Sequence, residues 1–199
     1  MSSPSLPAYT ERFDEAVALA VSAFRPVFRK RSSIPYVAHL FSVTALVAEN
    51  GGDEDLLCAA MLHDYLEDIA PDGVGLLRAR FGERVASIVV ALSDAMEHPK
   101  PPWRERKERY VAHLRHADPS VKLVSAADKL HNVRSTRSDV AREGLPAFRR
   151  FAGEVDGTLW YYDAICDALA DGWEAPLLTL LRHEVEGLAD DVARLRAAG

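Results

Sequence analysis

Leu56-Leu57-Cys58-Ala59-Ala60-Met61-Leu62-His63-Asp64-Tyr65-Leu66-Glu67-Asp68 runs through seven apolar residues and then sets His63, Asp64, Glu67 and Asp68 within six positions. Neither Gly nor Pro interrupts the stretch and most of its residues favour helix, so it reads as one helix. At helical pitch His63 and Glu67 share one row and Asp64 and Asp68 another, which confines the four polar groups to about 140° of the circumference. The apolar run ahead of them has no polar face, the mark of a helix buried in a larger all-α body. Carboxylates and an imidazole side by side in such a setting call for pairing, hydrogen bonds or a metal ion. The plainer alternative is a helix that runs out into water at Glu67 and Asp68.

Composition narrows the class. The chain has 199 residues, 48% of them hydrophobic, which suits one well-buried domain rather than two. A net charge of −6 argues against a general nucleic-acid binder. Cys58 and Cys166 both fall inside apolar helical patterns and read as small buried hydrophobes. Met1-Ser2-Ser3-Pro4-Ser5 lacks the charged and apolar regions of a signal peptide, and no apolar run reaches the length of a membrane span. A cytoplasmic protein with no membrane partner is expected, and its oligomeric state is left open.

Working outward, a first helix is expected from Tyr9 to about Phe28, bent or ended by Pro26. A basic loop, Arg29-Lys30-Arg31-Ser32-Ser33-Ile34, follows, with solvated surface as its simplest reading. Pro35 suits the first position of the next helix, which carries His39 among apolar residues and stops at Gly51-Gly52. Asp53 is the expected cap of the central helix, and Asp72 of a short helix to Phe81; Gly82 separates a further one reaching Leu92. His98-Pro99-Lys100-Pro101-Pro102 reads as a stiff extended loop. A charged helix then opens at Trp103, with Arg104–Glu108 and Glu105–Arg109 as expected pairs. The helix opening near Pro119 carries Asp128, His131, Asn132 and Ser135 on one face. Helices over Phe151 to Ala170 and from Trp173 complete the chain, the former with an aromatic cluster, Trp160-Tyr161-Tyr162, that reads as core. With no convincing strand and no repeat, the fold class is all-α.

The residues that do not fit an apolar interior are His39, His63, Asp64 and Asp128, from three separate helices. Two imidazoles and two carboxylates suit a divalent transition metal such as manganese, iron or zinc, with positions left for water and a phosphate oxygen. Such an ion makes water a usable nucleophile near neutral pH, and Glu67 and Asp68, one turn on, are placed to orient it or carry its proton. A basic loop shortly before His39 in an acidic protein points to a phosphorylated substrate.

Pro35-Tyr36-Val37-Ala38-His39, His63-Asp64-Tyr65-Leu66-Glu67-Asp68 and Ala127-Asp128-Lys129-Leu130-His131-Asn132-Val133-Arg134 carry a resemblance. The order His, His-Asp, Asp is similar to that of the HD phosphohydrolase superfamily. The fuller motifs resemble the hydrolase domain of RelA/SpoT-type alarmone enzymes in the single-domain form of the small alarmone hydrolases. The likeness covers about residues 25–135, more loosely to Tyr162. It implies an HD-domain helical bundle of roughly eight to ten helices. A single metal-dependent phosphohydrolase domain over 1–199 is expected, with a core of about 9–171 and a C-terminal helix of about 173–197.

The resemblance further implies His39, His63, Asp64 and Asp128 as ligands of a catalytic Mn²⁺, other divalent transition metals being possible, and Glu67 and Asp68 as the pair assisting the attacking water. Lys30, Arg31 and Ser32 of the loop before Pro35 would flank the purine or its phosphates, with Asn132 and Ser135 near the ribose and phosphates. Arg104, Lys107 or Arg109 would add phosphate-binding cations, and His131 would be structural. The expected substrate is a small nucleotide, (p)ppGpp or (p)ppApp, cleaved at the 3′ pyrophosphate. The alternatives are another HD nucleotide phosphatase, for instance at the 2′-phosphate of NADPH, or a non-catalytic alarmone-binding regulator. The chain departs from the family at Ser33, where Gly is usual, and at Leu40, where Pro is usual. The first departure raises the expectation of an altered purine-facing loop.

Overall fold

Apolar stripes at helical spacing fold this chain into ten α-helices and one 3₁₀ turn among the described residues, 9–97 and 99–198 of a computed structural model. The all-α expectation holds: among the described residues the only β pairing is an isolated antiparallel bridge between Phe28 and Pro35. Residues 1–8, His98 and Gly199 lie outside the described residues, and with them the expectations placed on Met1 to Ser5 and on His98. Among the described residues no helix is long and apolar enough to cross a membrane. The chain divides into two compact units, Met1–Met96 and Glu97–Gly199.

In the first unit α1 (Glu11–Ala23), α2 (Val37–Glu49), α3 (Glu54–Leu62), α4 (Tyr65–Asp68), α5 (Val74–Phe81) and α6 (Glu83–Leu92) surround α3. Every residue from Leu56 to Leu62 is buried, as a helix apolar on all sides requires. α1, α2 and α6 all pack on it. Its start is fixed electrostatically. Asp53 caps it, accepting from the Leu56 amide at 3.1 Å, as expected. Glu54 and Asp55 in its first turn hold Arg12 of α1 at 2.9 and 2.5 Å.

Several boundaries differ from expectation. α1 ends at Ala23, because the Phe24 amide closes on Ala20 and the chain turns toward Pro26. Pro35 is not a helical residue; it lies in the bridge with Phe28, while the Tyr36 amide donates to Val27 and α2 begins at Val37. Asp72 is not a cap, since α5 begins after Gly73 with no side-chain acceptor. Gly82, at φ 89°, adopts the left-handed turn that only glycine enters freely and separates α5 from α6 as expected. The largest difference is in the middle. The expected single helix over 56–68 is broken at His63-Asp64 into α3 and α4.

The second unit is built on α8 (Pro119–Glu143), 25 residues long, with α7 (Trp103–Arg115), α9 (Glu154–Ala170) and α10 (Pro176–Ala197). Asp118 caps α8 through the Ser120 amide at 2.8 Å, just before Pro119. Arg137 binds Glu184 at 2.6 Å and Asp191 at 3.0 Å, fastening α10 to α8. Lys122, 2% exposed, donates to the carbonyls of Arg115 and Asp171, satisfying the C-terminal ends of α7 and α9 together. α9 begins at Glu154 rather than Phe151, and α10 at Pro176 rather than Trp173. The buried thiols of Cys58 and Cys166 are pushed up to about 12 by burial.

Candidate metal centre

In the first unit His39 is 1% and His63 3% exposed, and their Nε2 atoms lie 3.3 Å apart. Asp64 Oδ2 stands 3.0 Å from His63 Nε2 and 3.7 Å from His39 Nε2. The break in the central helix makes this possible. In an unbroken helix the Ala60 carbonyl would accept from the Asp64 amide; here His63 Nδ1 takes it at 2.7 Å. The side chain thus replaces a rung of the ladder, and Asp64 relaxes to φ −96°, ψ 2°, outside the helical basin. With Nδ1–H donating to a carbonyl, the neutral ring has its lone pair on Nε2, the form in which histidine binds metal.

Tyr36 completes this arrangement, and its role was not assigned from the sequence. Its hydroxyl donates to Asp64 Oδ2 at 2.6 Å. Its ring stacks on Phe24 at 5.3 Å and meets His39 edge-on at 5.4 Å. The available signal was spacing: Tyr36 precedes His39 by three residues, one helical turn. Two imidazole nitrogens and a carboxylate oxygen turned toward one another in a buried place are a donor set for a cation, and by ligand type a divalent transition ion fits.

Glu67 and Asp68 lie on α4, the first half-buried and the second exposed. The backbone bond from the Asp68 amide to the Asp64 carbonyl, 3.0 Å, keeps them one turn beyond the His-Asp pair despite the break. The basic loop is closed by the Arg29 amide on the Ile34 carbonyl at 2.9 Å. Lys30 and Arg31 are exposed at its tip. Ser32 uses its hydroxyl within the loop, donating to the Arg29 carbonyl at 3.1 Å and accepting from the Ile34 amide at 3.2 Å. The left-handed residue is Arg31, at φ 52°, and Ser33 is not among the left-handed residues. Ser33 therefore sits where the backbone does not ask for glycine.

In the second unit Asp128, 7% exposed, accepts from Asn132 Nδ2 at 2.5 Å and pairs with Lys129. Burial alone would lower the Lys129 pKa, but Asp128 and the neighbouring tyrosines together hold it well above its ordinary value. The ammonium also lies 5.4 Å from the centre of the Tyr110 ring and 5.9 Å from that of Tyr161. Lys129 is a second residue the sequence left without a role, although it adjoins Asp128. Burial pushes the Tyr110 hydroxyl up to about 12, and it meets Ser125 Oγ at 3.0 Å. His131, Asn132 and Ser135 are half-buried on the same helix.

On α7, Arg104 pairs with Glu108 at 2.7 Å as expected, and its guanidinium lies 3.3 Å over the Trp160 ring. Lys107 lies 4.8 Å over Tyr161. Arg109 bonds Glu97 at 3.1 Å, a partner from the preceding segment rather than the expected Glu105. The aromatic cluster is core at Tyr161 and Tyr162, which are buried, and only half-buried at Trp160.

Comparison with known proteins places these motifs in context. The family model of the HD domain matches residues 16–157. The chain is 34% identical over 115 residues to a Synechocystis protein named "Probable guanosine-3′,5′-bis(diphosphate) 3′-pyrophosphohydrolase", covering 54% of this chain and 14% of the relative. It is 34% identical over 123 residues to a guanosine-3′,5′-bis(diphosphate) 3′-pyrophosphohydrolase of Mus musculus, covering 60% and 66% respectively. The chain thus spans about one-seventh of the length of the cyanobacterial relative. A solved structure of a metazoan ortholog of SpoT, described as hydrolysing ppGpp, superposes with a TM-score of 0.77 over 92% of this chain and 97% of that one, at 24% identity. That likeness bears on the fold.

Proposed function

Because the chain belongs to the HD domain family, we propose that it is a Mn²⁺-dependent hydrolase that removes pyrophosphate from the ribose 3′ oxygen of (p)ppGpp or (p)ppApp. The observation that carries this reading is the placement of the His63 ring, whose Nδ1 bonds the Ala60 carbonyl and whose Nε2 faces His39 Nε2 at 3.3 Å and Asp64 Oδ2 at 3.0 Å. A histidine kept in the core only to fill space has no need of that company. The names of the cyanobacterial and mouse relatives support the guanosine form of that substrate.

We assign His39, His63, Asp64 and Asp128, the order His, His-Asp, Asp in the sequence, as the ligands of the ion. When bound, a divalent ion polarises the phosphoryl oxygen and brings water into the range of a nucleophile near neutral pH. The remaining work falls to side chains. Glu67 and Asp68 take the proton from the attacking water. That water bonds to the phosphorus next to the ribose 3′ oxygen, the bond from phosphorus to this oxygen breaks, and the ribose oxygen leaves and is protonated. Tyr36 fixes the rotation of the Asp64 carboxylate, and Lys129 and Asn132 fix that of Asp128. Lys30, Arg31, Arg104 and Lys107 bind phosphates or purine, with Ser32 shaping the loop and Asn132 and Ser135 facing the sugar.

The test is a panel. Protein with Mn²⁺ is incubated with ppGpp, pGpp, ppApp and NADPH, and pyrophosphate is measured against orthophosphate. Pyrophosphate from the purine tetraphosphates is expected. Orthophosphate from NADPH alone would overturn the reading, and binding without turnover would make the protein a regulator.

A further inference from the structure

Helix α7 has an unusual beginning. Pro102 stands at its N-cap and offers no side-chain acceptor. Its buried residues, Tyr110, Val111 and Leu114, all lie in its second half. Yet Arg104 and Lys107, the two cations assigned to phosphate, lie in the first half, over the Trp160 and Tyr161 rings of α9. Something must hold that half of the helix in place.

Trp103 is seated in a notch at the start of α9. A Cβ placed on Gly153 would lie 2.6 Å from the indole Cη2 and 2.8 Å from Cζ2, and one placed on Gly157 would lie 3.2 Å from Cη2 and Cζ3. The indole therefore occupies the space that side chains at both positions would take. Gly153 and Gly157 are four apart, one row of the helix. On its other side the indole meets Trp160 edge-on at 6.2 Å and Tyr161 at 6.3 Å.

The α9 start is expensive in backbone terms. Gly157 lies within the helix, where glycine is less favourable than alanine. Glu154, between the two glycines, is held at φ 49°, a left-handed conformation that side-chain-bearing residues avoid. Unfavourable backbone choices gathered in five residues persist where the surroundings over-determine them. Here the Trp103 indole lies against two of the five, Gly153 and Gly157.

The consequence reaches Asp128. Lys107 and Lys129 share the Tyr161 ring, at 4.8 and 5.9 Å, and Lys129 pairs with Asp128. Arg104 and Lys107 are thus backed by the α9 rings, and Lys129 lies by both the Tyr161 ring and that carboxylate. Cations backed by rings in this way suit a chain of phosphates, with charge supplied by Arg104 and Lys107.

We propose that Trp103, seated in the notch of Gly153 and Gly157, is a positioning residue that holds Arg104 and Lys107 in register as a cationic arm for the phosphate chain of the substrate. The proposal rests on the reading given under Proposed function. The arm binds phosphates away from the bond that breaks, so it contributes alike to ground and transition states and appears in KM.

The experiment uses the full chain and four proteins: the parent, Trp103→Phe, Gly157→Ala and the double variant. Two quantities are read: KM and kcat for ppGpp, and the Kd of inorganic tripolyphosphate by calorimetry, a probe that needs no turnover. The methyl group of Gly157→Ala favours helix, so this variant keeps its secondary structure while crowding the indole. It should raise KM and the tripolyphosphate Kd at least fivefold with kcat within twofold. The double variant, in which a smaller ring meets the added methyl, should return both to within twofold of the parent. Unchanged Kd and KM in Gly157→Ala, a fall in kcat alone, or no recovery in the double variant would each overturn the proposal. If the parent hydrolyses no purine substrate but binds tripolyphosphate in this notch-dependent way, the assigned reaction fails and the arm stands.

Discussion

Replacing Tyr36 by Phe removes one hydroxyl and leaves the ring. The stack on Phe24 at 5.3 Å and the edge contact with His39 at 5.4 Å are available to either residue, so the fold around the loop is retained. What is lost is the bond from the hydroxyl to Asp64 Oδ2 at 2.6 Å. Hydrogen bonds to a charged partner contribute about 1.5–3 kcal/mol. If the bond serves chiefly to fix a metal ligand, its loss is felt as metal affinity, and at about 1.4 kcal/mol per decade that is roughly 10- to 100-fold. The assay is a Mn²⁺ titration of both proteins, by calorimetry or by the electron paramagnetic resonance signal of free Mn²⁺. Thermal melts with and without the ion serve as a check, because the stabilisation at saturating metal shrinks as Kd rises. Equal Mn²⁺ affinities within twofold would refute the reasoning, as would a Tyr36→Phe protein that melts well below the parent without metal.

Glu67→Gln and Asp68→Asn should keep the parent's Mn²⁺ content and lose kcat by about 10²-fold or more, since they remove proton handling and not ligation; full turnover in both would end that assignment. Arg31→Ala should raise KM for ppGpp well beyond any fall in kcat, and constants within about twofold of the parent would make the loop solvated surface. Run on guanosine and adenosine substrates, the same variant shows whether the loop distinguishes the bases, and equal losses would mean it senses charge alone. Cys58 and Cys166, with thiols pushed up to about 12 by burial, carry almost no thiolate at pH 8 and should resist iodoacetamide in the native protein; rapid labelling followed by mass spectrometry would contradict their burial.

What the sequence made legible was mostly what local chemistry decides. Asp53 as a cap, Gly82 as a separator and the seamless burial of Leu56 to Leu62 follow from propensity and periodicity, and the structure agrees. The family motifs marked His39, His63 and Asp64, and the first unit brings these three together. The break at His63 was hidden because a side chain, not a Gly or Pro, takes the Ala60 carbonyl. Helix propensity has no term for a histidine that competes with its own backbone. Tyr36 was hidden for a different reason: its partner, Asp64, is 28 positions away, and a phenol reads as core until its hydroxyl is seen to point at a carboxylate. Arg109 illustrates a third kind of miss. The i,i+4 rule offered Glu105, but a residue outside the helix, Glu97, competes for the same guanidinium at an exposed site where the difference is small.

α8 is a single uninterrupted helix of 25 residues, and Asp128, Asn132 and Ser135 are all carried on it. Their mutual spacing is therefore set by helical pitch, about 1.5 Å and 100° per residue, and by nothing else. One residue inserted or deleted between Asp128 and Ser135 would swing the hydroxyl about a quarter-turn away from the carboxylate. Descendants of this sequence are thus free to exchange side chains along α8 but not to change its count between those positions. Length variation is left to the connections, such as 99–102 ahead of α7, where an extra residue disturbs no ruler.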